Sequence, residues 1–514
     1  MATPVAALRL ERERWPQPLA RRHRALVGVD AQGRWHLLAD RDCDALLLQM
    51  AETRLGEALR WQRCSAAALD AGLAEGDIGG RALDTLDAVD GPAAPSALHD
   101  AEAGAEAGAL TLSALGAEAS PAVRLLDAVL LDALADGASD IHLEMQPRGA
   151  QVRLRIDGVM QAMRQVDGAA LAEQVVSRLK VLAELDIGER RLPQDGRFKR
   201  RIAVQGQARE IDFRLSIMPS VWGEDAVVRV LDRSAAAQGG GGPTLAALGF
   251  EAPMRDALLQ LARAPHGLLL VTGPTGSGKT TTLYAALAEI QAGREKIITI
   301  EDPVEYQLEG VVQIPVNEKK GLGFARGLRA ILRHDPDRVM VGEIRDAETA
   351  QIAVQAALTG HGVFSSVHAN HAFDVIGRFM HMGLDLYNVV AALNAVLGQR
   401  LMRQLCTACA EPVTATAAEL ARLGEPHAGP PVRLHRPVGC PACHHSGYRG
   451  RRAVAELLCM DDDLRDLIAA RAPMSAIKQA ARERGMQSLQ AAALAAVRAG
   501  RTSFEEMDRV VAAA

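Results

Sequence analysis

Apolar positions recur with two different periods along the middle of the chain. A helical period runs through Leu126, Val129, Leu130, Ala133 and Leu134, with Ser120 and Pro121 before it and Gly137 after it. Because serine caps helices, proline suits their first turn and glycine their end, this pattern predicts one capped helix. Strict alternation over residues 152–156 and 211–217 predicts two half-buried strands, the first running into a turn at Asp157-Gly158. An α+β domain with an antiparallel sheet follows for residues 120–233.

The pattern changes from residue 244 onward. Short apolar runs end at Thr272, Ile300, Val341 and Val367, with helical patterns between them. This alternation is typical of an α/β fold with a mostly parallel sheet. From about residue 460 the chain is rich in alanine and predicted to be helical.

The first 90 residues contain a possible strand at 25–29 and a helical stretch at 45–59. Residues 91–119 and 234–243 are dominated by small and flexible residue types, and we expect them to be linkers. A separately tethered module usually binds something, so residues 1–90 are predicted to form a docking domain; a stabilising appendage is the alternative.

Bulk properties narrow the function classes. The 514 residues are 48% hydrophobic and 24% charged, as in ordinary soluble proteins. A net charge of −5 and an aromatic content of 3% argue against a nucleic-acid partner. No apolar run approaches the length of a membrane span, and the charged N-terminus is unlike an export signal, so we expect a cytoplasmic protein. Cysteines in such a protein indicate metal binding when they are regularly spaced.

A complete phosphate-binding loop occupies residues 273–280, between a predicted buried strand and a predicted helix. Its glycines let backbone N–H groups converge on phosphate oxygens, Lys279 can reach the terminal phosphates, and the Thr280 hydroxyl can bind Mg²⁺. A plain turn between strand and helix is the alternative. The predicted nucleotide-binding residues are Gly273, Pro274, Thr275, Gly276, Ser277, Gly278, Lys279, Thr280 and Thr281.

Polar residues follow three of the predicted strands. Glu343 comes after the strand ending at Val341, an acidic stretch at 301–305 follows a second strand, and His368 follows a third, with His361 just ahead of that strand. The carboxyl ends of parallel strands meet at one edge, where α/β proteins bind their ligands. These residues are therefore predicted to form an active site beside the phosphate loop.

Four cysteines form two closely spaced pairs, Cys406 with Cys409 and Cys440 with Cys443. Two such pairs can complete a tetrahedron around a structural Zn²⁺. His435, His444 and His445 are weaker candidate ligands, and Cys43, Cys64 and Cys459 are predicted to be core residues.

Several motifs together resemble the secretion ATPase superfamily. Residues 299–306 resemble its aspartate box, 342–346 its second phosphate-site motif, and 359–361 with 368–370 its histidine box. Residues 138–142 and 190–197 and Arg214 resemble its middle domain, so the likeness spans about residues 120–500. The family powers type II secretion, type IV pilus extension and retraction, and related machines.

The resemblance implies a fold and a division of the chain. The fold class is α/β: a RecA-like P-loop ATPase core preceded by an α+β, PAS-like domain. The expected parts are an N-terminal docking domain (1–90), a linker (91–119), the middle domain (120–233), a second linker (234–243), the ATPase domain (244–400), a four-cysteine zinc insert (401–455) and a C-terminal helical subdomain (456–514).

The resemblance also implies residue roles. Lys279 and Thr280 hold the phosphates of ATP and Mg²⁺, with Glu343 as the carboxylate on the metal side. Glu305 orients the attacking water, and His361 and His368 sense the γ-phosphate. Arg197 and Arg214 act as cationic clamps carried by the tethered middle domain.

Within the family, the four cysteines and the N-terminal extension favour the assembly machines, and the short N-terminal module favours type II secretion over pilus assembly. The resemblance implies a homo-hexamer bound peripherally to the inner membrane. Its partners are the cytoplasmic domain of an inner-membrane secretion protein and a membrane platform protein. A nucleic-acid motor and a non-hydrolysing scaffold are the alternatives from other classes.

Overall fold

The structure, a computed structural model, describes residues 119–204, 207–231, 243–425 and 431–511 without interruption. It also describes residues 8–11, 15, 20, 23–30, 32–40, 45–65, 68–69 and 83. The predicted linkers fall almost wholly outside these ranges, as does Cys43. The chain divides into two compact units, Met1–Leu231 and Asp232–Ala514.

The described residues of the N-terminal part of the first unit include a four-stranded sheet in the order β1-β2-β3-β4 and a helix beside it. These elements are β1 (Arg9–Leu10), β2 (Ala25–Val29), β3 (Trp35–Ala39), α1 (Ala45–Leu55) and β4 (Leu59–Arg63). The strand at 25–29 is confirmed, but the helix ends earlier than predicted. Gly56 adopts a left-handed φ of 70°, and Leu59 already begins a strand parallel to β3.

The middle domain is a six-stranded antiparallel sheet in the order β7-β6-β5-β10-β9-β8, with two helices. Its elements are α2 (Pro121–Ala135), β5 (Ala138–Gln146), β6 (Gly149–Ile156), β7 (Val159–Asp167), α3 (Ala169–Leu182), β8 (Gln194–Val204), β9 (Gln207–Ser220) and β10 (Gly223–Leu231). The predicted cap is present, because the Ser120 side chain accepts a hydrogen bond from the Val123 N–H. The α+β prediction is confirmed, with strands longer than the alternation alone indicated.

The second unit is built on a seven-stranded sheet in the order β13-β12-β14-β15-β11-β16-β19. Its first elements are α4 (Ala252–Ala262), β11 (Gly267–Thr272), α5 (Lys279–Ile290), β12 (Ile297–Glu301), β13 (Val311–Pro315), α6 (Phe324–Ile331), β14 (Arg338–Val341), α7 (Ala347–Leu358), β15 (Gly362–Val367), α8 (Asp374–His381) and α9 (Leu386–Ala392). All pairs are parallel except the edge pair β16–β19. Strands β11, β12, β14 and β15 are buried throughout, as expected when helices cover both faces.

The cysteine-containing segment is inserted between two strands of this sheet, β16 (Leu393–Leu405) and β19 (Tyr448–Cys459). Between them lie β17 (Glu411–Thr414), α10 (Ala417–Leu423) and β18 (Arg433–Arg436), with β17 and β18 forming a small hairpin. The expected boundary at 400/401 therefore falls inside a strand of the ATPase sheet.

Four helices complete the described chain: α11 (Asp462–Ala469), α12 (Met474–Glu483), α13 (Leu489–Arg498) and α14 (Phe504–Val511). Helices α13 and α14 share a hydrophobic cluster with β16 and β19 through Met402 and Val454. The helical prediction for this region is confirmed. No helix among the described residues combines the length and the hydrophobicity that crossing a membrane requires.

Candidate functional site

The phosphate-binding loop joins the end of β11 to the start of α5, as the sequence predicted. Gly273, Gly276 and Gly278 have φ values of 148°, 78° and 82°, which side-chain-bearing residues rarely adopt. Helix α5 begins at Lys279 and has no side-chain cap, so its first N–H groups remain available to a ligand. Pro274, Thr275 and Gly276 form the exposed rim of the loop. This geometry fits an anion held by backbone N–H groups at a helix N-terminus.

The loop is braced from behind by Gln399 on strand β16. The buried Gln399 side chain donates from Nε2 to the Ser277 carbonyl at 2.7 Å and accepts from Thr282 Oγ1 at 2.8 Å. The backbone of the same residue restricts the loop, since a Cβ on Gly273 would lie 2.4 Å from the Gln399 carbonyl oxygen. The loop conformation therefore depends on a strand distant in sequence.

Lys279 folds back across its own loop. Its Nζ donates to the carbonyls of Gly273 and Pro274 at 2.9 and 3.1 Å. Burial lowers the pKa of Lys279, and the negative charge of Glu343 opposes that shift. Lys279 is thus held at the phosphate loop and interacts electrostatically with Glu343.

Glu343 lies two residues beyond β14, and its carboxylate contacts the side chains of Arg345 and His368. One carboxylate oxygen accepts from Arg345, and the other lies 3.0 Å from His368 Nε2. Burial opposes ionisation, but the hydrogen bonds and charges of Arg345 and His368 lower the pKa of Glu343 below its ordinary value. The group is therefore an ionised carboxylate at neutral pH. His368 follows β15, the strand that pairs directly with β11.

Glu305 lies in the loop after β12, and its backbone N–H donates to Tyr284 Oη at 3.3 Å. Its half-buried carboxylate makes no hydrogen bond or ion pair within the described part of the chain. Thr280 and Thr281, at the start of α5, are also half-buried. The predicted base is therefore held by its backbone while its carboxylate is left available.

His361 lies at the other edge of the sheet. It precedes β15, and its backbone carbonyl accepts from the N–H of Gly267, the first residue of β11. Its Nδ1 lies 3.1 Å from the Ala356 carbonyl near the end of α7. Because the ends of a strand face opposite edges, the length of β15 separates His361 from His368. The structure therefore does not place His361 beside the phosphate loop of its own chain, where the sequence predicted it.

Arg197 and Arg214 lie in the first unit, on the sheet of the middle domain. They are direct register partners on β8 and β9, and Arg229 on β10 is the next partner in the row. Residues directly opposite in an antiparallel pair share one face, so the three arginines are neighbours. They line a cleft of about 460 Å³. Arg229 is anchored by Asp140 at 2.9 Å.

The four paired cysteines converge. Sγ atoms of Cys406 and Cys440 lie 3.9 Å apart, those of Cys409 and Cys443 3.8 Å, and those of Cys440 and Cys443 3.8 Å. A tetrahedral site with Zn–S bonds of about 2.3 Å has sulfur atoms roughly 3.8 Å apart. N–H groups of Cys440 and Gly447 donate to Cys443 Sγ at 3.2 Å, as they would to a thiolate. The residues present fit a zinc ion with four sulfur ligands.

The other cysteines and the nearby histidines are outside this cluster. All three histidines, His435, His444 and His445, are absent from the group of atoms that could share one ion among the described residues. Cys64 is half-buried, and Cys459 is exposed at the end of β19, so the core prediction is wrong for Cys459.

Sequence reasoning missed Gln399 and Arg400, both buried in the site. Arg400 donates to the carbonyls of Gln399 and Asn370 at 3.3 and 2.9 Å, which links β16 to the segment after His368. A signal is present in the sequence, because the two polar residues lie between the apolar stretches 395–397 and 401–402. Arg229 carried no such signal, since an arginine on an alternating strand usually faces solvent.

The chain is similar to known proteins along most of its length. The family model described as "Type II/IV secretion system protein" matches residues 116–509. The type II secretion system protein E of Pseudomonas aeruginosa is 48% identical over 391 residues, which cover 76% of each chain. The type II secretion system ATPase E of Vibrio cholerae is 46% identical over 391 residues, covering 76% of this chain and 75% of that one.

Solved structures support the fold. The X-ray structure of the Legionella pneumophila ATPase DotB matches with a TM-score of 0.55 at 20% identity, covering 76% of this chain and 96% of that one. The Yersinia pseudotuberculosis ATPase DotB matches with a TM-score of 0.53 at 18% identity, covering 77% and 96%. At these identities the likeness establishes the α/β P-loop fold alone.

Proposed function

This chain belongs to the type II/IV secretion system protein family, and on that premise we propose that it hydrolyses ATP to drive pseudopilus assembly and protein export by a type II secretion system. One observation carries the proposal. The phosphate loop and the Glu343–His368 pair lie at the same edge of one sheet, in a chain closely similar to the type II secretion ATPase E of Vibrio cholerae.

The residues at this edge divide the work of phosphoryl transfer. The loop N–H groups and Lys279 hold the β- and γ-phosphates and stabilise the charge that develops on them. Thr280 and Glu343 would hold Mg²⁺, which neutralises phosphate charge when bound. Glu305 accepts a proton from the attacking water while the oxygen of that water forms a bond to the γ-phosphorus. The bond to the β–γ bridging oxygen breaks, giving ADP and inorganic phosphate.

His368 contacts one carboxylate oxygen of Glu343 and so orients that carboxylate. From this position His368 can respond to the γ-phosphate. Arg197 and Arg214 are proposed clamps, because the row of arginines across β8, β9 and β10 brings several guanidinium groups to one face of the sheet, and guanidinium groups bind phosphates well. We assign His361 no part in phosphate contact within its own chain, for the reason of position given above.

Turnover of MgATP by the purified full chain tests the proposal. Lys279→Ala and Glu305→Gln should each abolish hydrolysis, because one removes phosphate charge stabilisation and the other removes the base. Glu309→Gln is the matched control for the second change, since Glu309 is an exposed glutamate in the same loop. If wild-type turnover is no higher than that of the two site variants, a non-hydrolysing scaffold is supported instead.

A homo-hexamer is proposed for the active form, with arginines acting between subunits. Lys279→Ala and the double variant Arg197→Ala/Arg214→Ala should each be inactive alone. Mixed before assembly, they should recover part of the activity, because some interfaces then pair an intact loop with intact arginines. Absence of recovery, in mixtures shown to co-assemble, would contradict action in trans.

The partner proposed for residues 1–90 is the cytoplasmic domain of an inner-membrane secretion protein, with a platform protein as a further membrane contact. Tagged full chain should retain that domain from a type II secretion strain, and a chain lacking residues 1–90 should not. Capture of pilus assembly proteins instead would favour the pilus alternative. Stimulation of turnover by single-stranded DNA would favour a nucleic-acid motor.

The proposed metal of the cysteine cluster is Zn²⁺ in a structural role. Four thiolates close the coordination sphere and leave no position for a substrate. The cluster lies where β16 leaves the sheet and β19 returns to it, so the ion would fix the base of the inserted segment.

A further inference from the structure

A buried tyrosine connects the helix of the phosphate loop to the loop of the proposed base. Tyr284 lies in α5, on the turn after Lys279, and its side chain is inaccessible to solvent. Its Oη contacts a carboxylate oxygen of Glu301 and also accepts the backbone N–H of Glu305 at 3.3 Å. A phenol has one O–H to donate and lone pairs to accept, so both contacts can form at once.

Glu301 anchors this tyrosine from the end of β12. Its carboxylate is 1% exposed and accepts hydrogen bonds from Tyr284, from the Thr299 hydroxyl and from Gln313 Nε2 at 3.1 Å. All three of these donors are neutral, and a buried carboxylate is costly unless such bonds hold it. Burial and the bond to Glu301 raise the pKa of Tyr284, so the phenol stays protonated and keeps its donor.

The network places two functional groups on one rigid support. Helix α5 begins with Lys279, which faces the phosphates, and continues to Tyr284, which fixes the backbone of Glu305. The rate of hydrolysis depends on how well the reacting groups are held in attack geometry. Because helix α5 carries both the phosphate-binding lysine and the residue that holds the base, disturbing Tyr284 should lower that rate. Nothing else among the described contacts holds the Glu305 backbone through a side chain.

We propose that Tyr284 is a positioning residue for hydrolysis, which holds Glu305 against the phosphate loop and is itself aligned by Glu301. The proposal rests on the proposed function, because it takes Glu305 to be the base. Tyr284 acts through Glu305 and does not touch substrate, so its loss should slow the chemical step and leave nucleotide binding intact.

Tyr306 supplies a matched control. Its ring lies edge-on to the Tyr284 ring with centroids 4.5 Å apart, and its buried Oη has no hydrogen-bond partner within the described residues. Removing this hydroxyl therefore breaks no hydrogen bond within the described residues, whereas removing the Tyr284 hydroxyl breaks two. Both changes delete one oxygen from neighbouring tyrosines.

The test compares Tyr284→Phe with Tyr306→Phe in the full chain. For Tyr284→Phe we expect kcat to fall roughly 10- to 100-fold, the range that a misplacement of about 1 Å causes. The MgATP dissociation constant should stay within about threefold of wild type, since the phosphate loop is intact. Tyr306→Phe should retain wild-type values of both. Equal kcat in the two variants, or a loss of affinity that matches the loss of rate, would overturn the proposal.

Glu301→Gln is a second test variant, which perturbs the same hydrogen-bond network if Tyr284→Phe fails to fold. If Glu301 acts by aligning Tyr284, the double variant Tyr284→Phe/Glu301→Gln should be no slower than the slower single variant. Multiplication of the two losses would contradict the link. Glu305→Gln distinguishes failure of the proposed function from failure of the positioning role. If this variant retains activity, the proposed base is wrong. If it is inactive while Tyr284→Phe is normal, only the positioning role of Tyr284 fails.

Discussion

Gln399→Leu should loosen the phosphate loop while keeping the volume of the side chain nearly constant. The change deletes the donor to the Ser277 carbonyl and the acceptor for the Thr282 hydroxyl. Each lost hydrogen bond is worth roughly 0.5–1.5 kcal/mol, and each polar group left buried without a partner costs roughly 1–3 kcal/mol. The Thr282 hydroxyl can rotate toward another acceptor, so we expect a total near the lower end, about 2–4 kcal/mol.

Nucleotide binding and urea denaturation together show where this free energy is lost. If the phosphate-binding conformation of the loop is destabilised, the MgATP dissociation constant rises about tenfold for each 1.4 kcal/mol. If the energy is lost from the fold as a whole, the urea midpoint drops instead, since Gln399 is buried and paired with Ala455 in the β16–β19 ladder. We expect both effects, with affinity lowered at least about tenfold.

Gln404→Leu is the matched control on the same strand. Gln404 makes one exposed bond, from Nε2 to the Arg451 carbonyl at 3.3 Å. An exposed bond of this kind is worth little, so affinity and midpoint should both stay near wild type. If Gln399→Leu changed neither quantity more than Gln404→Leu does, the idea that β16 braces the phosphate loop would be refuted.

Three further predictions concern metal, pH and the two histidines. Cys440→Ser should remove bound zinc, measured by atomic absorption, and lower the thermal midpoint by several degrees, while Cys459→Ser, outside the cluster, should do neither. Glu506 is fully buried; burial opposes its ionisation, but hydrogen bonds from Arg509 and Arg403 lower its pKa. Its lowered folded-state pKa means that its stabilisation is complete above the unfolded value of about 4.3 and is lost as pH falls through the folded value. The difference in the free energy of unfolding between wild type and Glu506→Gln, measured by urea denaturation and roughly 1.5–3 kcal/mol at pH 7, should therefore shrink only below about pH 4.3. A difference that shrinks between pH 7 and 5 would contradict this. His368→Ala should lower kcat about 10-fold or more, whereas His361→Ala should mainly lower stability, since its ring meets only the end of α7; equal losses of kcat would show that the separation across β15 is irrelevant.

Local chemistry explains what the sequence could predict. The phosphate loop, the capped helix at 121–135 and the cysteine pairs each consist of residues close together in sequence, whose types constrain the backbone or the ligand directly. Strand-end residues such as Glu343 and His368 were predictable because a parallel sheet brings carboxyl ends together. The same rule, applied to a residue before a strand, misplaced His361.

Long-range pairing explains what the sequence could not predict. Gln399 braces a loop whose contacts lie far away in sequence, and only the register of β16 against β11 places it there. Arg229 joins Arg197 and Arg214 because three antiparallel strands align them, and a single strand pattern carries no register. Tyr284 carries no signal of its role in the sequence, because its buried partner Glu301 lies on a different element, β12.

The cysteine segment enters and leaves the ATPase sheet through adjacent strands, paired from Ala395 with Cys459 to Leu405 with Tyr448. Its two ends are thus held at the spacing of neighbouring strands, whatever lies between them. Because loop-closure entropy grows only with the logarithm of length, the segment can gain or lose residues at little cost to that pairing. The fold therefore has a natural insertion point, at which a new binding module can be exchanged while the strand that braces the phosphate loop keeps its register.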